Sequence, residues 1–238
     1  MRRTAVVLMA ALIFCLGGCA VPKKSTLGYV LPDLEDFPEN TVIVDTSFDD
    51  CWKTLIAGLS SEFFVINNVE KASGLITMDF YTDSPEDYID CGVSKRSYDG
   101  VDQTYQTAGD AIYKEDTRVA GGVNRATIRR ETTLNGKINV HVSEMADGVK
   151  VSVNVRYVWT LVRSGTYYYD DGMNFPVHQQ MIPDRSSKVF NTNSVSKKDS
   201  PGDLCCHSTG VLEGMILDIV SPAESVPAAT GVETTEGV

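Results

Sequence analysis

The chain has 238 residues, 42% hydrophobic and 22% charged, with 21 Lys and Arg against 32 Asp and Glu for a formal charge of −11. That apolar content excludes a disordered chain, and 19 Gly with 9 Pro exclude a collagen-like or linker-dominated one. The acidic balance argues against a nucleic-acid partner, because phosphate contacts need clustered Lys and Arg.

The first element is a basic pair, Arg2-Arg3, followed by an apolar run from Ala5 to Leu16. The run is too short for a spanning helix, which needs about 20 residues. It matches the charged and apolar regions of a secretory signal peptide, with a buried N-terminal helix as the alternative. Leu16-Gly17-Gly18-Cys19 resembles the lipobox of bacterial lipoproteins. The two small residues suit a peptidase that needs extended backbone before the cut. The Cys supplies the thiolate that accepts the diacylglyceryl group. The resemblance implies a signal peptide over 1–18, cleavage before Cys19 and acyl chains on that residue. Several chains on one residue anchor durably where one gives marginal binding. Ala20, rather than Asp, would follow the anchor. By analogy with enterobacterial sorting, that places the protein on the outer membrane, facing the periplasm. Cleavage removes Arg2, Arg3 and no acid, which takes the formal charge from −11 to −13.

Residues 19–40 hold the lipidated Cys and a Pro-punctuated flexible tether, with Pro22, Pro32 and Pro38 and no apolar periodicity. A body over 41–220 follows, then a Pro/Ala/Thr/Gly/Glu-rich tail over 221–238 that reads as disordered. In the body, Thr41–Val44 is a short strand. Ser47 is placed as an N-cap, with Asp49 and Asp50 in the first turn where the helix dipole favours acids. Phe48, Trp52, Leu55 and Leu59 then share one helical face. Phe63–Val69 and Leu75–Tyr81 read as strands around a turn at Gly74. Ile76, Met78 and Phe80 alternate with Thr77, Asp79 and Tyr81.

The polar stretch 84–124 reads as a long connection. Strands are predicted over 125–134, 138–144 and 149–162, with turns at Asn135-Gly136 and Asp147-Gly148. The alternation of Val149, Val151, Val153, Val155, Tyr157, Trp159 and Leu161 with polar residues indicates an antiparallel sheet covered on one face. A second connection runs over 164–207 and carries the aromatic loop Tyr167, Tyr168 and Tyr169, a candidate interaction site. Thr209 opens a last helix whose Val211, Leu212, Met215, Ile216, Ile219 and Val220 form one stripe, and Pro222 stops it. The expected fold class is α+β, an antiparallel sheet covered on one face by the two helices.

The run Phe48-Asp49-Asp50-Cys51-Trp52, through Glu62 to Val69, to Ser73-Gly74-Leu75-Ile76, resembles a recurrent pattern in proteobacterial lipoproteins. The helix-grip domains of the BamC (NlpB) lipoproteins, accessories of the β-barrel assembly machinery, are similar in this order. Cys206-His207-Ser208-Thr209-Gly210-Val211-Leu212-Glu213 resembles the start of the final helix in related lipoproteins. The resemblance implies a helix-grip fold and a role as an envelope accessory.

Four cysteines remain after Cys15 leaves with the signal and Cys19 is acylated. In an oxidising compartment they are disulfide candidates. Cys91 and Cys206 are the preferred pair, because each ends a long polar connection and a bridge would pin both to the body. Cys51 reads as a small core residue beside Trp52. Cys205 is then free, or pairs with Cys51. A metal site of Cys205, Cys206 and His207 with His141 or His178 is the weaker alternative, since adjacent ligands wrap a tetrahedral ion poorly.

His141, expected on a solvent face, and His178 and His207, expected in loops, belong to no recognisable catalytic motif. The acidic pairs Asp49-Asp50, Glu86-Asp87 and Asp170-Asp171 read as caps and solvated surface. No enzyme, cofactor or metal is expected. Residues 31–90 hold 14 acids and two bases, while 94–137 hold eight bases and six acids. Such a polarised surface would orient the body on a partner. The functional expectation is a non-enzymatic envelope scaffold or assembly accessory, tethered to the membrane and binding an envelope protein. The alternative is a module for a small apolar or lipid ligand in the helix–sheet groove. An apolar cavity beneath residues 209–220 would favour the ligand; a filled core with exposed tyrosines would favour the protein partner.

Overall fold

In the computed structural model, residues 24–33, 37–62, 64–119, 122–170, 177–196 and 204–221 are described. Apolar alternation dominates them. Ala126, Ile128, Leu134, Ile138, Val140 and Val142 are all buried on a single strand, and the odd-numbered residues between them face outward or lie half-buried. The described chain therefore makes thirteen strands: β1 Ser25–Val30, β2 Thr41–Val44, β3 Val65–Glu70, β4 Leu75–Thr82, β5 Ile89–Asp90, β6 Val93–Tyr98, β7 Val101–Gln106, β8 Ala111–Val119, β9 Gly122–Met145, β10 Gly148–Asp170, β11 Val177–Gln180, β12 Asp184–Asn191 and β13 His207–Ser208. The helices among them are α1 Phe48–Ser61 and α2 Val211–Leu217.

The chain divides into two compact units. The larger comprises Met1–Phe37, Tyr81–Gly136 and Arg156–Thr209; the smaller comprises Pro38–Phe80, Lys137–Val155 and Gly210–Val238. β9 and β10 contribute residues to both.

In the smaller unit β2 pairs antiparallel with the start of β10, Val149 opposite Val44. β3 pairs with β4, Ile66 opposite Met78. Ser47 caps α1, its Oγ accepting from the Asp50 N–H at 3.2 Å. Leu55 and Leu59 of α1, Leu212 and Ile216 of α2, Ile76 and Val151 are all fully buried here. Each such side chain contributes roughly 1.5–3 kcal/mol relative to exposure. Gly74 adopts φ +65°, and a Cβ there would lie 2.0 Å from the Val142 carbonyl oxygen, so the turn excludes any side chain. Thr209 does not cap α2. Gly210 does so at φ +83°, while the Thr209 hydroxyl donates to the Tyr88 carbonyl at 2.8 Å within the larger unit.

In the larger unit β1, β6 and β7 form a three-stranded antiparallel sheet with β6 in the middle. β8 pairs with β9, and β10 pairs with β11 and β12. β5 and β13 form a two-residue clip. The Trp159 indole N–H donates to the Ala108 carbonyl at 2.9 Å, and Tyr157 stacks on Phe190 with centroids 5.3 Å apart. No α-helix lies among this unit's described residues.

The expected α+β helix-grip architecture is therefore corrected: the protein is mostly antiparallel β-sheet, and its helices have 14 and 7 residues. The two stretches read as connections carry much of the difference. The described residues of 84–124 include β5 to β8 and the start of β9, and those of 164–207 complete β10 and include β11, β12 and the start of β13. Their polar composition reflects strands exposed on one face, not loops. Asn135-Gly136 is no turn either. Leu134, Gly136 and Ile138 keep one parity, so β9 runs straight through. Part of the expected tether is strand β1. The signal segment, Cys19, Ala20 and the tail beyond residue 221 lie outside the described residues.

Candidate functional site

The larger unit carries a concentration of aromatic and basic side chains around β8. Asp99 at φ +55° and Gly100 at φ +82° close a two-residue hairpin between β6 and β7. Its register sets Arg96 opposite Gln103 and Tyr98 opposite Val101, so these four side chains share one face. That face meets β8. The Arg96 guanidinium sits 3.5 Å from the centroid of the Tyr113 ring, and pairs with Glu115 at 3.4 Å. Its Nε donates to the Tyr105 hydroxyl at 3.2 Å, and Tyr105 stacks on Tyr113 at 6.4 Å. Arg130, buried, lies 5.3 Å over the Tyr105 ring and donates to the Thr107 carbonyl at 2.7 Å. Two guanidinium groups and two rings thus form one stack. The Tyr98 hydroxyl donates to Asp116 at 2.9 Å.

These contacts set the phenols apart. Burial, then the bond to Asp116 and its charge, pushes Tyr98 up to about 12. Burial also pushes Tyr105 up, but hydrogen bonds and charge from Arg96 and Arg130 outweigh it, and the phenol falls below its ordinary value. Burial raises Tyr113, against the opposing charge of Arg96.

A cleft of about 410 Å³ opens between this face and β8, lined by Arg96, Tyr98, Val101, Gln103, Ile112 and Lys114 among others. A second, of about 380 Å³, shares Tyr98, Lys114 and Thr127 with it and adds Arg125, Tyr168 and His178. The two clefts therefore share part of one wall. Both lie within the range of ligand-sized pockets. Arg96, Lys114 and Arg125 line them with Asp99, and Glu115 and Asp116 stand against Arg96 and Arg125, so bases and acids alternate along β8. Arg125 is held by Asp116 at 3.4 Å.

The three tyrosines expected in a loop lie on β10, paired with β11, and are half-buried. Period two sends them to opposite faces. Tyr167 packs against the cluster of Tyr113, Ala126 and Ile128. With Tyr169 it lines a cleft of about 480 Å³. Tyr168 meets His178 edge-on at 5.2 Å in the second cleft beside β8. The sequence pattern thus located one wall of the clefts and missed the other. The missed signal was Asp99-Gly100 flanked by alternating residues.

Cys91 and Cys206 are joined by a disulfide across 115 residues, beside the β5–β13 clip. Cys51 and Cys205 are free and buried. Burial raises the Cys51 thiol, as expected of a small core residue. His141 is exposed on β9, and His178 lies on β11. His207 is in β13, not a loop; its Nδ1 contacts the Ser208 carbonyl at 2.9 Å, and its Nε2 is 4.0 Å from Asp90. Because the disulfide occupies the Cys206 sulfur, the Cys205-Cys206-His207 metal arrangement is not formed. Among the described residues no group of three or more His, Cys, Asp or Glu is placed to hold a metal ion.

No protein-family model matches the chain, and no match was found among curated proteins or solved structures.

Proposed function

We propose that the protein is a lipid-anchored periplasmic component of the outer membrane that works without catalysis, by binding another envelope protein through the surface along β8. The observation that carries this reading is the pair of neighbouring clefts lined by Tyr98, Tyr168, Arg96 and Lys114. Tyr and Arg are the residues most enriched at protein interfaces. The lipobox-like run ending at Cys19 supports the anchor. The ligand-groove alternative finds less support. Leu212 and Ile216 of α2 are fully buried, as are Leu55 and Leu59 of α1, and the cleft of about 390 Å³ that Val220 lines is bordered by Asp45, Thr46 and Thr54 as well as by apolar groups.

The test is site-specific photo-crosslinking in the native envelope from position 168, with position 141 on exposed β9 as the control. Recovery of one envelope protein from position 168 alone is the expected result. Equal or absent recovery from both positions would refute the interface. Acyl labelling of the Cys19→Ser variant tests the anchor: label should vanish and precursor accumulate.

A further inference from the structure

Period two gives β10 two faces with different company. Tyr168 stands with Lys114, Arg125 and His178 in the second cleft beside β8. Tyr167 and Tyr169 take the other face. Directly opposite residues of an antiparallel pair share a face, so Gln179 of β11 joins Tyr167. Met181, whose N–H donates to the Gly165 carbonyl at 2.8 Å, continues the same parity. β10 lies between β11 and β9. On β9, Asn124 has the parity of Ala126 and Ile128, the residues on which Tyr167 packs. Amides from β9 and β11 therefore bracket two phenols from β10. Together with Met181, Gln180 and Ile182 they line the cleft of about 480 Å³.

The chemistry of this cleft differs from that of the two beside β8, which carry Arg96, Lys114 or Arg125. Among its described lining residues none is charged. The β8 register puts Glu115 on the same sheet face, opposite Ala126, but Arg96 pairs with it. A charged ligand would give up water here and find no counter-charge. A carboxamide offers two donors and an acceptor, and a phenol one of each. Gln179 and Gln180 are exposed and Asn124 is half-buried, so these polar heads are open to a ligand. Ile182, 87% exposed, and half-buried Met181 add apolar surface. Tyr167 is held by the Tyr113, Ala126 and Ile128 cluster, which lowers the cost of ordering the site.

We propose that this cleft binds a neutral oligosaccharide bearing acetamido groups. Sugar hydroxyls donate and accept at once, as the amide and phenol heads require. The apolar C–H face of a sugar ring suits the half-buried Tyr169 ring. An acetamido group matches a carboxamide donor for acceptor, and its methyl meets Met181 and Ile182. A few placed polar groups over an apolar lining are what fix a small ligand in a pocket of this size. The site is separate from the protein-binding surface at Tyr168, which lies on the opposite face of β10.

The probe is chitotriose, the trimer of N-acetylglucosamine, titrated into the full chain by calorimetry and two-dimensional NMR. Saturable binding to one site is expected, with shifts centred on Asn124, Tyr167, Tyr169 and Gln179. Maltotriose, neutral but without acetamido groups, should bind at least tenfold more weakly. So should the glucosamine trimer, which is cationic and lacks the acetyl groups. Gln179→Glu keeps the shape of an exposed side chain and replaces its donors by a charge. It should weaken chitotriose at least tenfold, as should Tyr169→Ala. Trialanine capped by acetyl and amide groups offers amides without hydroxyls and should not compete. Four results overturn the proposal: no saturable chitotriose binding at millimolar concentration, equal binding of either control trimer, competition by the capped peptide, or shifts centred on Tyr168. Undiminished binding by the Gln179→Glu variant overturns it too, even if Tyr169→Ala does not fold. Crosslinking from position 168 tests the protein partner separately, so either reading can fail alone.

Discussion

Replacing both Cys91 and Cys206 by Ala tests what holds the β5–β13 clip in place. The clip is only two residues on each strand, and the disulfide closes a span of 115 residues beside it. On the chain-entropy model, freeing a loop of that size stabilises the unfolded chain by about 5 kcal/mol. Native domains have only about 5–15 kcal/mol in total. The double variant is needed because Cys206→Ala alone leaves Cys205, next in the chain, to take its place. Urea unfolding, followed by Trp159 in the larger unit and Trp52 in the smaller, gives the assay. The Trp159 transition should lose about 3–5 kcal/mol and move down by on the order of 10 °C in a thermal scan. Its m-value should rise, because an uncrosslinked unfolded chain exposes more surface. A loss below about 1 kcal/mol with an unchanged m-value would refute the argument. The unfolded chain would then gain nothing from losing the cross-link.

Other expectations follow from single contacts. Trp159→Phe leaves the buried Ala108 carbonyl without its donor and should cost about 1–3 kcal/mol by urea titration. Gly74→Ala places a Cβ against the Val142 carbonyl at positive φ and should cost at least about 2 kcal/mol, whereas Gly100→Ala, with open space around it, should cost less. Ser47→Ala removes the α1 cap and should cost about 1 kcal/mol. Tyr98 has a folded pKa raised from 10.0 to about 12, so its contribution is complete below pH 10 and lost as the pH climbs to 12. Ultraviolet absorbance at alkaline pH should show a late-titrating phase that includes Tyr98, and Tyr98→Phe should reduce it by one phenol. An undiminished late phase in the variant would contradict the assignment.

The smaller unit was legible because its signals are local. The Ser47 cap, the Trp52–Leu55–Leu59 face and the Ile76–Met78–Phe80 alternation each lie within a few residues, and each forms as read. The larger unit was not. Its strands are exposed on one side, so β6 to β8 carry Ser, Arg, Tyr, Gln and Lys where a buried strand carries Val and Ile. Asx–Gly pairs also mislead in isolation. Asp99-Gly100 turns and Asn135-Gly136 does not, because parity across the pair decides. Alternation continues from Leu134 through Ile138 and overrides the local preference. The Arg96–Tyr113–Tyr105–Arg130 stack joins residues up to 34 positions apart. It depends on the β6–β7 register, which no local pattern reports.

The early start of β1 sets the length of the leash. With acyl chains on Cys19, as proposed, only six peptide steps separate the anchor from Ser25, where β1 begins. A chain spans at most about 3.5 Å per residue, so that leash reaches roughly 20 Å. A tether running to residue 40 would allow roughly 75 Å. With that anchor, the first strand of the larger unit would start within roughly 20 Å of the bilayer, where a membrane-embedded or similarly anchored partner would meet it without a long reach of its own.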